Sequence, residues 1–482
     1  MKHRVIEATS VAAGLAALIL GLAGPVMARP APTPAADDGL VTYLAIGPDG
    51  QRVARAITDA PQCPALTVDG HAVAMSVRAA AGVVPQRPTA SDPALSKPSA
   101  FAAQVCEAPV PASARHVRLA GRALHLPPAV IRRVVVIGDT GCRLKASDKA
   151  YQACNDPKAY PFAQVTAAAA RWKPDLVVHV GDYLYRENPC KAGDDGCAGS
   201  PWGYGYDAWR ADFFRPAAPL LQAAPWVFTR GNHESCDRAG QGWWRLVDPR
   251  PLQAGRDCND PAQDETGDYS DPYAVPLGLG AQLIVFDSSD VSAKPIKEDG
   301  AGWSEYRDTY AKIAALAAKA DHNILVDHHP MLAFAATQKK GEAISIKPGN
   351  LGLQSTFGSL NPQLVPDHTD LLLSGHVHVW EALSFVAPYP AQIVAGFSGT
   401  QEDIVPLPKT APADQTPAPG AVVQAMSSWV DGFGFMTLTR QGPDRWLAQI
   451  HGVDGAVVNT CHIVGRTLSC AVDQVPRRAG AG

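Results

Sequence analysis

Apolar positions along the chain fall into two differently patterned stretches. Between Leu40 and Pro127 the apolar runs are short, at Leu40–Ile46, Arg52–Ile57, Ala72–Val77, Phe101–Val105 and His116–Leu119, with Gly, Pro and Asp breaking them apart. Short runs with turn residues between them and no helical period predict a small β-sandwich of immunoglobulin or fibronectin type over 40–127. The tract from Gln86 to Ser99, QRPTASDPALSKPS, reads as a loop within it. From Arg132 the pattern changes. Compact apolar runs at Val134–Ile137, Leu176–Val180, Trp226–Thr229, Leu283–Phe286, Ile324–Asp327 and Leu371–Ser374 alternate with helical stretches, chiefly Phe162–Trp172 and Glu305–Ala320. Such alternation predicts an α/β domain, over 128–472, whose sheet is buried on both faces. Further strands are expected at Gln392–Gly396, Phe433–Thr439 and Trp446–His451, a Pro-rich loop near Val405–Gly420, and a tail at 473–482.

The N-terminus stands outside both patterns. Lys2, His3 and Arg4 precede an apolar run from Val11 to Met27 that ends in Val26-Met27-Ala28. A basic start, an apolar middle and a small-x-small exit describe a secretory signal peptide over 1–28. An uncleaved anchor helix is the alternative, since the run approaches membrane-spanning length. A Pro- and Ala-rich leader follows at 29–39, and no later run is long enough to span a bilayer. The expected location is therefore secreted or periplasmic, without a membrane partner after cleavage. Ten cysteines agree with export. They lie in neighbouring couples, which suggests Cys63–Cys106, Cys142–Cys154, Cys190–Cys197, Cys236–Cys258 and Cys461–Cys470; a zinc site is the rival reading, but no CxxC occurs. A formal net charge of -4 argues against nucleic acid as a partner.

Five polar blocks follow five of the α/β strands. They are Gly138-Asp139-Thr140-Gly141, Gly181-Asp182-Tyr183-Leu184-Tyr185, Gly231-Asn232-His233-Glu234, His328-His329-Pro330 and Gly375-His376-Val377-His378. The carboxyl ends of strands in open α/β sheets form the crevice where ligands bind, so blocks remote in sequence are expected to converge. Carboxylate, phenolate, amide oxygen and imidazole suit hard-to-borderline cations such as Fe, Mn and Zn. A carboxylate can bridge two ions, and two ions can clamp the attacking and leaving oxygens of a phosphoryl displacement.

The set GDxG, GDxxY, GNHE, a strand followed by HxP, and GHxH resembles the calcineurin-like metallophosphoesterase superfamily, and within it the purple acid phosphatases. Most of the superfamily opens with Asp-x-His, whose histidine binds the first metal. This chain has Gly141 there and Tyr185 in the GDxxY block, the replacement that purple acid phosphatases make. The resemblance spans about Val134 to Trp380. It implies a layered α/β/β/α sandwich preceded by a β-sandwich domain, as in the plant-type members. It further implies that Asp139, Tyr185 and His378 hold Fe(III), that Asp182 bridges, and that Asn232, His328 and His376 hold a divalent Zn, Fe or Mn. His233 is implied as the catalytic residue beside the substrate or leaving group. His329 competes with His328 as a ligand, and Glu234 lies just outside the ligand set.

The activity so implied is hydrolysis of small phosphate monoesters by in-line attack of a metal-bound hydroxide. Phosphodiesters and nucleotides stay open as substrates. The insertions Cys190–Tyr206 and Arg238–Asp271, rich in Trp, Tyr and Gly, would either line the pocket or pack locally. A secreted binding protein with a degenerate core is a different class of reading, and a missing ligand would favour it; all seven positions are filled. Oligomeric state has no signature in the sequence.

Overall fold

Val134 and Val136 of the strand Arg133–Ile137 pack into one hydrophobic core, whereas Val135 and Ile137 pack into another. Alternate side chains of a strand point to opposite faces, so a strand apolar on both faces must lie between two layers. The computed structural model describes residues 39–339, 341–408 and 415–476 and shows those layers. Leu176–His179 and Trp226–Phe228 run parallel to the first strand, with Val135 opposite Val177 and Val177 opposite Trp226. The three form the middle of an 11-stranded sheet. A 7-stranded sheet holds four parallel strands, Ala281–Val285, His322–Val326, Thr369–Ser374 and Ala391–Ala395.

The two sheets share one core, in which Val134, Val136 and Val178 join Leu283, Ile324 and Leu371. Helices Phe162–Arg171 and Arg215–Ala223 pack on the other face of the larger sheet. Helices Trp303–Ala317 and Leu351–Leu360 do the same for the smaller one. The order is helix, sheet, sheet, helix: the α/β/β/α sandwich expected from the motifs.

Residues 40–127 are β-rich, as expected. Strands Val41–Ile46, Arg52–Thr58, Gln104–Val110 and Ser76–Ala79 continue the 11-stranded sheet, and Ala45 pairs in parallel with Trp226. Leu66–Val68, His71–Val73, Val117–Leu119 and Arg122–Leu124 form a second, 4-stranded layer that contributes to the same core as the catalytic-side strands. The physical reason is edge pairing: a bare edge at Trp226–Phe228 would leave backbone groups unpaired, and the N-terminal strands fill it. Arg55 adds a polar tie, since its buried guanidinium donates to the carbonyls of Leu246 and Asp248 and pairs with Glu107.

Several boundaries move. The run Ala72–Val77 divides into His71–Val73 and Ser76–Ala79, and Phe101–Val105 divides into Ser99–Phe101 and Gln104–Val110. The expected tail docks as far as Val475, which is buried and exchanges backbone hydrogen bonds with Ser428 through Asp473 and its own N–H. Signal peptide, all but the last residue of the leader, and part of the Pro-rich loop lie outside the described residues. All five cysteine couples are bonded in the pairing suggested above, and none of the ten is free. Among the described residues no helix is long and apolar enough to cross a membrane.

Candidate metal centre

Every one of the five polar blocks begins where a parallel strand ends. The larger sheet delivers Asp139, Asp182, Tyr185, Asn232 and His233; the smaller delivers His328, His376 and His378. Leaving the strands so abruptly requires unusual backbone. Asp139, Asp182 and His376 have φ of 53°, 61° and 72°, a left-handed conformation that side-chain-bearing residues rarely adopt and that clusters at functional sites. Gly231 is needed for close approach: a Cβ there would lie 2.1 Å from Asp182 Oδ1.

The donors gather in two groups that share Asp182. In one, the Tyr185 hydroxyl lies 2.8 Å from Asp139 Oδ1, 2.8 Å from Asp182 Oδ2 and 3.0 Å from His378 Nε2. In the other, Asn232 Oδ1 lies 3.1 Å from His328 Nε2 and 3.0 Å from His376 Nδ1, and His328 Nε2 lies 3.1 Å from Asp182 Oδ2. Ligating atoms of Asp182, His328 and His376 all fall within 4.8 Å of one another. Two buried carboxylates, a phenol, an amide oxygen and three imidazoles with no lysine among them form a donor set that fits hard-to-borderline cations.

Neighbouring groups fix which imidazole nitrogen faces the centre. His328 Nδ1 lies 2.9 Å from the Val180 carbonyl and His378 Nδ1 2.9 Å from that of Gln401. Each Nδ1–H is thereby engaged, and Nε2 is left to ligate. His329 takes no place in the cluster; its Nδ1 lies 3.3 Å from Ser288 Oγ and its ring sits 4.2 Å from that of His376. His179 is packed against Tyr183 and bonded to Thr140 Oγ1, a satisfied core residue.

The exchange of histidine for tyrosine has a steric basis. A Cβ on Gly141 would lie 2.7 Å from the backbone nitrogen of Tyr185 and 2.8 Å from both the Tyr183 carbonyl and Asp212 Oδ2. The turn that delivers Tyr185 fills the space a histidine at 141 would need.

Three acidic residues hold this arrangement, and the sequence singled out only one of them. Glu234, fully buried, accepts hydrogen bonds from the backbone N–H groups of Gly231, Asp182, Tyr183 and Leu184. Burial, followed by the charge of Asp182, raises its pKa to about 8. Asp212 accepts from the N–H groups of Cys142, Tyr185 and Arg186 and pairs with the Arg186 guanidinium. Glu187 pairs with Arg238 and lies 3.1 Å from His233 Nδ1. Burial pushes the Glu187 carboxyl up, but Arg238 and His233 outweigh it and hold it well below the usual carboxylate range. His233 itself stacks 3.8 Å from the Tyr185 ring and is lowered to about 4 by burial and by Arg238. Lone charged residues carry no spacing signal, so Asp212, in the helical turn Arg210–Phe214, and the loop residues Glu187 and Arg238 were not readable from sequence.

The insertions resolve toward local packing. Trp243 and Trp244 of the second insertion, and Tyr204 and Tyr206 of the first, are buried in the helix-side core of the larger sheet, whereas Trp202 is half-buried with the Lys97 ammonium 4.5 Å over its ring.

Protons stand where cations would sit. Burial, with Asp139 and Asp182 beside it, holds the Tyr185 phenol well above its ordinary value. Burial works against a charged His328, but Asp182 and Asp139 raise it to about 9. A bound cation must displace those protons, so its apparent affinity should climb between pH 5 and 8, by up to about tenfold per unit for each proton displaced. Chelator competition at several pH values measures this, and a flat profile would contradict the ligand geometry.

The model of the calcineurin-like phosphoesterase family matches residues 132–380, slightly more than half of the chain. Among solved structures, the chain resembles a purple acid phosphatase from seeds of yellow lupin (Lupinus luteus), with 15% identity and a TM-score of 0.50 over 92% of this chain and 78% of that one. It also resembles PhoD, with 12% identity and a TM-score of 0.50 over 92% of each chain. At such identities the likeness is one of fold. No curated protein matches the sequence. A family match that spans the strands and loops bearing all seven donors makes this chain a member of the calcineurin-like phosphoesterase family, a metal-dependent hydrolase of phosphoric esters.

Proposed function

We propose that the chain is a secreted or periplasmic phosphatase that hydrolyses small phosphate monoesters at a dinuclear centre of Fe(III) and divalent Zn, Fe or Mn. The observation that carries this reading is the sharing of Asp182 Oδ2, 2.8 Å from the Tyr185 hydroxyl and 3.1 Å from His328 Nε2. One carboxylate serves two donor groups, as a bridging ligand must. Asp139, Tyr185 and His378 would hold the ferric ion, and Asn232, His328 and His376 its partner. When bound, the ions would supply the positive charge and water activation that in-line phosphoryl displacement needs.

The chain's own groups supply orientation and charge around that centre. His233 Nδ1 lies 3.1 Å from the Leu184 carbonyl and from Glu187, and the Arg238 guanidinium lies 2.7 Å from Nε2, which sets an imidazole and a guanidinium side by side at the centre. Arg238 would offer positive charge to the phosphate oxygens, and His233 would orient the ester beside it. Trp243 and Trp244 of the second insertion are buried and closed to a nucleobase.

Metal analysis with parallel assays on nitrophenyl phosphate and its bis-ester tests the reading. The expected result is two ions per chain, faster monoester turnover, and a purple charge-transfer band that disappears in Tyr185→Phe. One ion per chain, or a Tyr185→Phe protein that stays purple, would overturn the ligand assignment.

A further inference from the structure

A cavity of about 280 Å³ lies beside His376, outside the donor cluster. Its walls include Pro330, Ala333, Phe334, Leu351 and Val377, and Lys347 and His376 are the ionisable side chains among its lining. We propose that this cavity seats the organic group of the phosphate ester, and that this group is apolar, of about six carbons. The proposal rests on the phosphatase reading above and specifies its substrate class.

Continuity with the centre is the first support. His376 is at once a wall of the cavity and a member of the donor cluster, with Nδ1 3.0 Å from Asn232 Oδ1. It is also the exposed member of the trio whose other residues, Asp182 and His328, are buried. An ester whose phosphate approached that trio would pass along the imidazole that opens onto the cavity.

Wall chemistry is the second. Backbone donors around the cavity are already bonded: Gly349 N–H to the Pro417 carbonyl, Asn350 N–H to that of Pro330, and Phe334 N–H to Glu381. The side-chain oxygen of Asn350 is occupied by the N–H of Leu353. What remains open to an occupant is mostly hydrocarbon, and burying hydrocarbon there is favourable.

Size is the third. Apolar cavities of about 150 Å³ hold a benzene molecule, so this one has room for a larger ring or a six-carbon chain.

The test uses n-alkylphosphonates, from methyl to hexyl, titrated calorimetrically into the metal-loaded protein. Each buried methylene should tighten binding roughly two- to fourfold, for a gain on the order of a hundredfold from methyl to hexyl. Ala293→Trp and Ala335→Phe narrow the cavity from an exposed and a half-buried wall position. Each should reduce the hexyl-to-methyl ratio to less than about tenfold. Equal affinity along the series in the unmodified protein would overturn the proposal. So would an undiminished ratio in both variants once melting curves show them folded. Hexylphosphonate binding that is equally tight with the metals removed would count against the metal-centre reading and leave the cavity assignment standing; no hexylphosphonate binding with the metals present would remove both.

Discussion

Asp182→Asn should abolish phosphatase activity, by about a thousandfold or more, while leaving the fold intact. Removing a partner that merely orients a ligand costs 10- to 100-fold in affinity or activity, and Asp182 belongs to both donor groups. The asparagine amide keeps the shape of the carboxylate and an oxygen for the His233 N–H, which now donates to Asp182 Oδ1 at 2.8 Å. Its NH₂ would replace the oxygen shared by Tyr185 and His328. The charge that would hold two cations together is lost, and Tyr185 keeps Asp139 as an acceptor. Metal content should fall to one ion per chain or fewer, with an unchanged circular dichroism spectrum. A variant that retains two ions and more than a tenth of the activity would show that Asp182 does not bridge.

Glu234→Ala should have the largest effect on stability. Four buried N–H groups, of Gly231, Asp182, Tyr183 and Leu184, would lose their acceptor together. A single buried donor left unpaired costs about 1–3 kcal/mol. Water entering the space would recover part of the sum, so about 3–5 kcal/mol is expected, near the upper end for single substitutions. At roughly 2–4 °C per kcal/mol for a large domain, melting should fall by about 6–20 °C. The same N–H groups fasten the loop of Asp182 and Tyr185 to the loop of Asn232, so added metal should no longer raise the melting temperature. Glu234→Gln, which keeps one acceptor oxygen, should fall between the two. A Glu234→Ala protein that melts within a degree or two of the parent would mean that those N–H groups find other partners.

How far the sequence reaches can be judged residue by residue. Asp139, Asp182, Asn232, His328, His376 and His378 were legible because each sits directly after an apolar run that could only be a buried strand. Tyr185 was legible through Gly141, since the absence of one ligand directs attention to its replacement. Glu234 was visible as a neighbour of the site but not as the acceptor for four backbone groups, because that role depends on a turn contributed by residues 181–184. Asp212 and Glu187 had no pattern at all. Helix Arg215–Ala223 was hidden by Pro216 and Pro219, residues that ordinarily argue against helix; one opens the helix and the other is accommodated inside it. The joining of the N-terminal strands to the α/β sheet was equally hidden, since pairing partners across an edge leave no mark on local hydrophobic pattern.

The composition of the centre from two sheets has a consequence in time. Asp139 meets the His376 backbone across 237 residues, and Tyr185 meets His378 across 193. The disulfides close much shorter loops, with separations of 43, 12, 7, 22 and 9 residues. Oxidation therefore rigidifies hairpins and loops without bringing the halves of the site together. Contacts between remote segments form late, because loop closure must precede any energy they return. Until the strand Thr369–Ser374 has docked, an emerging chain presents only part of its donors, so the selection of metal belongs to the last stage of folding and to the compartment in which that stage occurs.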